Sequence, residues 1–289
     1  KSPDELRNNI REIKARTDKF LNVKLAPCDP LEKEYGEIVM AERIPVISHG
    51  RGNPAWVIEA SREYGLINMP TVGALSHALK AEKDGADAIV VQGSEGGGHT
   101  GHVGTIVLLP LVTSRVRIPV VAAGGFSDGK GLVAALALGA EGIYLGTKFA
   151  LTQESPLHQS LKERYLQSSE EETIVTSLLT GAPMRLIKNE ALEAALAGIQ
   201  AQQGALEKSD FEKRQEEEIR FGDLATISRH FAKVKSGLIE GNLKMGFMPS
   251  GQIVGRIDDL PTCKELIEQI MVEAEEVLAR LNKYLPALK

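Results

Sequence analysis

Two glycine-rich segments hold the residue types whose spacing can do chemistry. The first is Gln92-Gly93-Ser94-Glu95-Gly96-Gly97-Gly98-His99-Thr100-Gly101, directly after the apolar run Ala88-Ile89-Val90-Val91-Gln92. Consecutive glycines let backbone approach a flat ligand closely. A histidine among them is placed to move a proton near neutral pH. The second is Ala122-Ala123-Gly124-Gly125-Phe126-Ser127-Asp128-Gly129, again after an apolar run and just before a helical pattern. Backbone N–H groups at such a turn bind phosphate. Gly146-Thr147 ends the next apolar run in the same way. The combined chemistry is close approach to a flat ligand, binding of a phosphate, and a histidine placed to move a proton.

Each of these residues also has a plainer reading. Gly96 to Gly101 satisfies GxGxxG, the dinucleotide pattern. That pattern needs a helix opening at its last glycine and an acidic residue about 20 positions on, after a second strand. Here Thr105 to Pro110 reads as a loop or short apolar segment, so the match is discounted. His99 alone would be a loop histidine bonded to backbone; its glycine surroundings favour proton transfer. Glu95 reads better as a carboxylate bonding loop backbone than as an acid. His99 and His102 have the spacing of a metal pair, but no acidic or cysteine cluster completes a site. His49 either lines a pocket or is structural. His77, His158 and His230 fall in helical patterns and read as surface residues. Met245 and Met248 read as core or pocket wall. No serine has the setting of a nucleophile elbow.

Six apolar runs must position these loops: Leu21 to Leu25, Ile44 to Ser48, Asn68 to Val72, Ala88 to Gln92, Pro119 to Ala123 and Gly142 to Leu145. They are apolar on both faces, as parallel strands covered by helices are. Helical patterns lie between them. Pro54 to Tyr64 follows the cap Asn53, Leu75 to Lys83 stops before Asp84-Gly85, and Gly129 to Leu138 follows Ser127. Strand-helix alternation at this spacing means βαβ units. After Phe149 the repeat stops. Pro156 to Gln167, Glu170 to Leu179, a polar stretch from Glu190 to about Arg220, and Thr262 to Leu281 read as helices. The chain itself opens on a helix start, with Ser2 as N-cap, Pro3 next and Glu5 closing a capping box. The fold class expected is α/β, a TIM (β/α)8 barrel with a helical appendage. Residues 1–150 supply barrel units, 151–245 a helical region on the substrate side, and 246–289 a segment and helix returning to the barrel.

Composition excludes other classes. The 289 residues carry a net charge of −5, with 43% hydrophobic and 25% charged residues. Such acidity gives no basic stripe for nucleic acid and no support for an anionic membrane partner. Cys28 and Cys263 have no CxxC partner, which fits a reducing, cytoplasmic setting without disulfides or zinc. No apolar run reaches the roughly 18 residues of a membrane span. The partners expected are a small-molecule substrate and, at most, a second copy of the chain.

The runs QGSEGGGHTG, IPVVAAGGFSDGKGLVAALALGAEGIYLGTKF and GNLKMGFMPSGQIVGRIDD together resemble the nitronate monooxygenase family, formerly 2-nitropropane dioxygenases. Related enoyl-acyl-carrier-protein reductases and NAD(P)H:quinone reductases share its fold. The resemblance spans nearly the whole chain. It implies FMN, with NAD(P)H as co-substrate in the reductase branch, and makes His99 the active-site base. It implies flavin contacts near Gly97, a phosphate on Gly124-Gly125 and Gly146-Thr147, and positions near the ring for Thr71 and Gln252. Lys24 stands where relatives often carry an asparagine. Family members begin with two further strands, so the six here would be strands 3 to 8. The activity implied is oxidation of nitronates or nitroalkanes with O2. The alternatives are an NAD(P)H-dependent reductase of a quinone or enoyl thioester, and a flavin-binding or structural protein without activity.

Overall fold

In a computed structural model of the chain, the structure describes residues 2–25, 32–50, 55–204 and 224–284. The capping box predicted at Ser2 and Glu5 starts α1 (Pro3–Arg16). The elements that follow are β1 (Asn22–Leu25), α2 (Glu32–Ala41), β2 (Val46–Gly50), α3 (Ala55–Glu63), β3 (Ile67–Val72), α4 (Leu75–Asp84), β4 (Ile89–Gln92), β5 (Gly98–His99) and α5 (Thr105–Thr113). Next come β6 (Val120–Ala123), α6 (Gly129–Ala137), β7 (Gly142–Tyr144), α7 (Thr147–Ala150) and α8 (Gln159–Leu166). The last are β8 (Thr173–Thr176), β9 (Met184–Ile187), α9 (Glu190–Gly204), α10 (Leu224–Leu238) and α11 (Cys263–Asn282).

The six predicted strands form one sheet in the order β1-β2-β3-β4-β6-β7. β1 to β4 pair in parallel, with Leu25 opposite His49, Gly50 opposite Thr71 and Thr71 opposite Val90. Parallel neighbours need crossovers, and α2, α3 and α4 supply them. This is the sheet and crossover pattern of a (β/α)8 barrel, with six such strands among the described residues. The chain divides into two compact units, residues 1–92, 106–122 and 135–142 against 93–105, 123–134 and 143–289.

In the first unit, Val39, Ile44, Ile47 and Val57 are wholly buried in one apolar cluster. Burial of such a side chain contributes roughly 1.5–3 kcal/mol. Gly36 is required there: a Cβ would lie 2.5 Å from the Trp56 ring. Shared register puts Asn22, Lys24, Ser48, Met69 and Thr71 on one face of the sheet, and His49 with Asn68 on the other.

In the second unit, β5, β9 and β8 form an antiparallel sheet that the periodicity did not reveal. One apolar cluster gathers Leu151, Leu161, Tyr165, Ile187 and Met248, and a second gathers Leu179, Met184, Leu186, Leu192 and Phe247. α11 lies so close to the start of α6 that a Cβ on Gly129 would meet Ala274 N at 2.3 Å. The Gly129 N–H donates to Glu273 Oε2 at 2.8 Å, so a carboxylate from α11 satisfies an amide that opens α6.

Four readings are corrected. Glu170 to Leu179 is not a helix: a 3-10 turn covers Glu170–Glu172 and β8 follows. The β-branched run Thr173-Ile174-Val175-Thr176 pairs with β9, and that pairing outweighs the helical spacing. Thr105 to Pro110 is not a loop but the start of α5, with Pro110 inside it. The end of the glycine run is not loop either, because Gly98 and His99 pair with Arg185 and Met184. His230 is not on the surface but only 6% exposed, whereas His77 and His158 are exposed. The polar stretch from Glu190 is helical as α9 to Gly204, and its remainder, like Asn53 and Cys28, lies outside the described residues. No helix among the described residues is long and apolar enough to cross a membrane.

Candidate active site

The glycine run turns back on itself before it becomes β5. Gly96 N–H donates to Gly93 O at 3.1 Å, and Gly93 N–H donates to Ala123 O at 3.0 Å. Thr100 closes the turn from the far side, its hydroxyl donating to Gly93 O at 2.9 Å. Glu95 is the structural carboxylate expected. Its two oxygens accept the Thr105 N–H at 3.0 and 2.9 Å, tying the run to the first residue of α5. The Thr105 hydroxyl lies 2.8 Å from Glu95 Oε2 and 2.9 Å from Gly124 O, and its single proton serves one of them at a time.

Arg185 on β9 fixes the other side. Its guanidinium donates to Ser94 O from Nη2 at 2.9 Å and from Nε at 3.3 Å, and to Thr173 Oγ1 from Nη1 at 2.8 Å. Burial lowers its pKa and the nearby Glu95 charge opposes that shift. An arginine starts so far above neutrality that it stays cationic. Sequence reading missed this residue. The available signal was a lone charge inside the apolar run Pro183 to Ile187.

His99 projects from this frame half-buried. Its Nε2 lies 2.9 Å from the Thr180 hydroxyl, which also lies 3.3 Å from Ala182 O. The hydroxyl has one proton, given either to Ala182 O or to Nε2, so the contact orients the imidazole and its direction follows the tautomer. The ring centroid of His230 lies 6.2 Å away.

The remaining predicted residues of this unit converge on the same frame. Gly124 and Gly125 have φ of +90° and +85°, a conformation that side-chain-bearing residues rarely adopt. A Cβ on Gly124 would sit 2.9 Å from Gly93 O. Gly97 abuts the segment carrying Gln252, and a Cβ there would lie 2.5 Å from Gly251 N and from Ser250 C. Gln252 N–H donates to Glu95 O at 3.0 Å. Gly251 N–H donates to the Thr147 hydroxyl at 2.9 Å, which leaves that hydroxyl's own proton to donate. Gly146 opens α7 with no side-chain cap, and a Cβ there would meet no heavy atom within 4 Å. Open space at Gly146, a left-handed glycine pair and a hydroxyl with a proton to give suit a phosphate. Lys148 next to them is not a free cation, since its amine is paired with Asp259.

Three residues of interest belong to the other unit. Thr71, next to last in β3, lies beside Gly50, its Cβ 3.3 Å from where a Cβ on that glycine would lie. His49 resolves as structural. Its ring is 1% exposed, with Nε2 3.1 Å from Asn68 Oδ1, and Asn68 Nδ2 donates to Ser61 Oγ at 3.2 Å. Burial lowers the His49 pKa, the Asn68 bond partly offsets this, and the Lys24 charge adds to the lowering. Lys24 retains solvent contact, yet crowding around its amine lowers its pKa too. No group of three or more metal-ligating side chains occurs among the described residues.

Comparison with known proteins bears on the chemistry. A family profile described as nitronate monooxygenase matches residues 32–273. The (3aS,4S,5R,7aS)-5-hydroxy-7a-methyl-1-oxo-octahydro-1H-indene-4-carboxyl-CoA dehydrogenase of Mycobacterium tuberculosis is 37% identical over 293 residues, covering 94% of this chain and 82% of its own. A "Probable nitronate monooxygenase" of Staphylococcus saprophyticus is 39% identical over 170 residues, which cover 55% of this chain and 48% of that one. The structure of FabK from Thermotoga maritima superposes with a TM-score of 0.85 and 33% identity, over 99% of this chain and 85% of that one. With a profile match across most of its length and relatives of this identity, the chain belongs to the nitronate monooxygenase family of oxidoreductases.

Proposed function

We propose that the chain is an FMN-dependent oxidoreductase in which His99 takes a proton from a carbon beside an electron-withdrawing group. The observation that carries this reading is the contact between His99 Nε2 and the Thr180 hydroxyl, which orients a half-buried imidazole at the end of the braced glycine run. FMN, when bound, supplies a two-electron acceptor. Gly124, Gly125, Gly146 and Thr147 would hold its phosphate, and Gly97 and Gln252 would neighbour its ring. Arg185 and Glu95 brace the loop that would present this backbone. A general base of this kind contributes about 10²–10⁴-fold to rate.

The substrate class favoured is an acyl thioester of the coenzyme A kind. The relative named for a CoA substrate matches 94% of this chain, whereas the nitronate monooxygenase match covers 55%. A nitronate or nitroalkane, oxidised with O2, is the second reading, supported by the family profile. An acyl thioester and a neutral nitroalkane both carry an acidic α-carbon, so His99 has the same task in those two; a nitronate has already lost that proton, and His99 would steady it instead. NAD(P)H serves as co-substrate if the enzyme runs as a reductase.

His99→Asn should retain the flavin absorbance spectrum and lose about 10²–10⁴-fold in turnover. Anaerobic additions of NADH, an acyl-CoA and a nitronate, each followed by flavin absorbance, separate the substrate readings. Undiminished turnover in His99→Asn would remove His99 from the mechanism.

A further inference from the structure

Beyond the glycine frame, His99 is bordered by aromatic rings. The ring of His230 on α10 lies 6.2 Å from that of His99, centroid to centroid. The Phe247 ring lies 5.6 Å from His230, and the Phe231 ring meets His230 nearly edge-on at 6.0 Å. The three differ in access. His230 and Phe247 are each 6% exposed, whereas Phe231 is 41% exposed. A single exposed phenylalanine means little on a protein surface. This one is joined ring to ring, through His230, to the histidine placed to move a proton.

Backbone packing sets this spacing. A Cβ on Gly237 would fall 2.4 Å from Phe247 O, and one on Gly246 would fall 2.2 Å from Gly237 N. Phe247 N–H donates to Lys233 O at 2.9 Å. α10 is therefore seated on Gly246-Phe247. The same stretch of chain runs on to Ser250-Gly251, against which Gly97 is packed. One segment, residues 246–252, thus docks both the helix that carries His230 and Phe231 and the glycine run that ends in His99. Consecutive residues of a helix point about 100° apart, so His230 packs inward while Phe231 faces outward beside it.

We propose that Phe231 is a specificity-determining residue: with His230 and Phe247 it forms an aromatic wall that takes the hydrocarbon part of the substrate, favouring a cyclic group over a short straight chain. Proton transfer to His99 needs the reacting atoms about 3–3.5 Å apart. A ring carried by the substrate's α-carbon extends several ångströms beyond that point, which is the scale of the step from His99 to the neighbouring rings. The gain from such contact grows with the apolar area removed from water. A ring covers much of the exposed Phe231 surface, and a short chain covers little. The inference rests on His99 being the proton-handling group, since that puts the substrate at this wall. Its test reads binding selectivity and not turnover, so it fails separately from the catalytic reading.

The test is anaerobic titration calorimetry of the full chain as purified, with two pairs of probes: cyclohexanecarboxyl-CoA against butyryl-CoA, and nitrocyclohexane against nitroethane. In at least one pair the wild type should bind the cyclic member about tenfold more tightly or better. Phe231→Ala should bring that ratio close to unity, whereas Phe231→Tyr, which keeps the ring, should preserve it. Phe231→Leu should lower the ratio part of the way, and it carries the test if Phe231→Ala does not fold. A wild type with no ring preference in either pair, absence of binding included, overturns the proposal. So does an unchanged ratio in the folded Phe231→Ala or Phe231→Leu protein.

Discussion

Gly146→Ala isolates the proposed phosphate contact from the stability of the fold. A Cβ at Gly146 meets no heavy atom within 4 Å, and the residue's φ of −100° is open to any L residue. The remaining cost is that of alanine in place of glycine at a helix N-cap, from a few tenths to about 1 kcal/mol. In a domain of this size that lowers Tm by at most about 2–4 °C. If the FMN phosphate sits on the Gly146-Thr147 backbone, the new methyl group stands in its space. Losing one charge-assisted hydrogen bond costs about 1.5–3 kcal/mol, or about 10- to 150-fold in Kd. The assay is quenching of FMN fluorescence on titration into flavin-stripped protein, with Tm measured in parallel. Gly97→Ala is the contrasting control. Its Cβ would meet Gly251 N and Ser250 C at 2.5 Å, so the fold itself should lose about 1–3 kcal/mol or more whether flavin is present or not. An unchanged FMN Kd in a Gly146→Ala protein with unchanged Tm would refute the phosphate assignment.

Other variants test the frame. Arg185→Met removes both donors to Ser94 O and the donor to Thr173, so chemical denaturation should show a loss of about 1–3 kcal/mol. Arg185→Lys should recover only part of it, because one ammonium cannot reproduce the guanidinium fork; full recovery would show that charge alone suffices. His49 is buried with its pKa lowered from 6.5, so between pH 6.5 and its folded pKa the unfolded chain binds more protons. Stability should therefore fall as pH drops below 6.5, and His49→Gln should flatten that part of the Tm-against-pH curve. An identical slope in the variant would assign the effect to other groups.

The parallel strands were legible because both faces are covered and each is a short, continuous apolar run. Their ends fell within about two residues of the observed ones, as helix and strand ends commonly do. The second unit was less legible because its strands β8 and β9 are defined by pairing with each other and with β5. Thr173 to Thr176 carries no alternation that separates a strand from a helix turn, and only the partner strand decides. α5 was missed because Pro110 argues against a helix. Proline costs most where it removes a hydrogen bond in a long helix, and this helix is only nine residues long, with its first residue fixed by Glu95. His230 was misplaced because a histidine in a polar helical pattern is usually outside. The clue was Gly237 on the same stripe, a glycine that a solvent-facing helix has no need of.

The glycines carry the deepest ambiguity, and the structure separates them into two kinds. Gly97 and Gly124 are small because backbone from another segment occupies the place of a side chain. Gly98 and Gly146 have no neighbour there at all. Gly98 has a second reason to be glycine, its φ of +65°, whereas Gly146 has none that the protein's own atoms supply. Such a glycine is free to face a ligand, although Gly142 and Gly198 share its open surroundings. In a run such as Gly93 to Gly101 all glycines look alike in sequence. Packing alone accounts for the small size of Gly97 and Gly124, whereas at Gly146, after β7, the proposed phosphate would supply the reason.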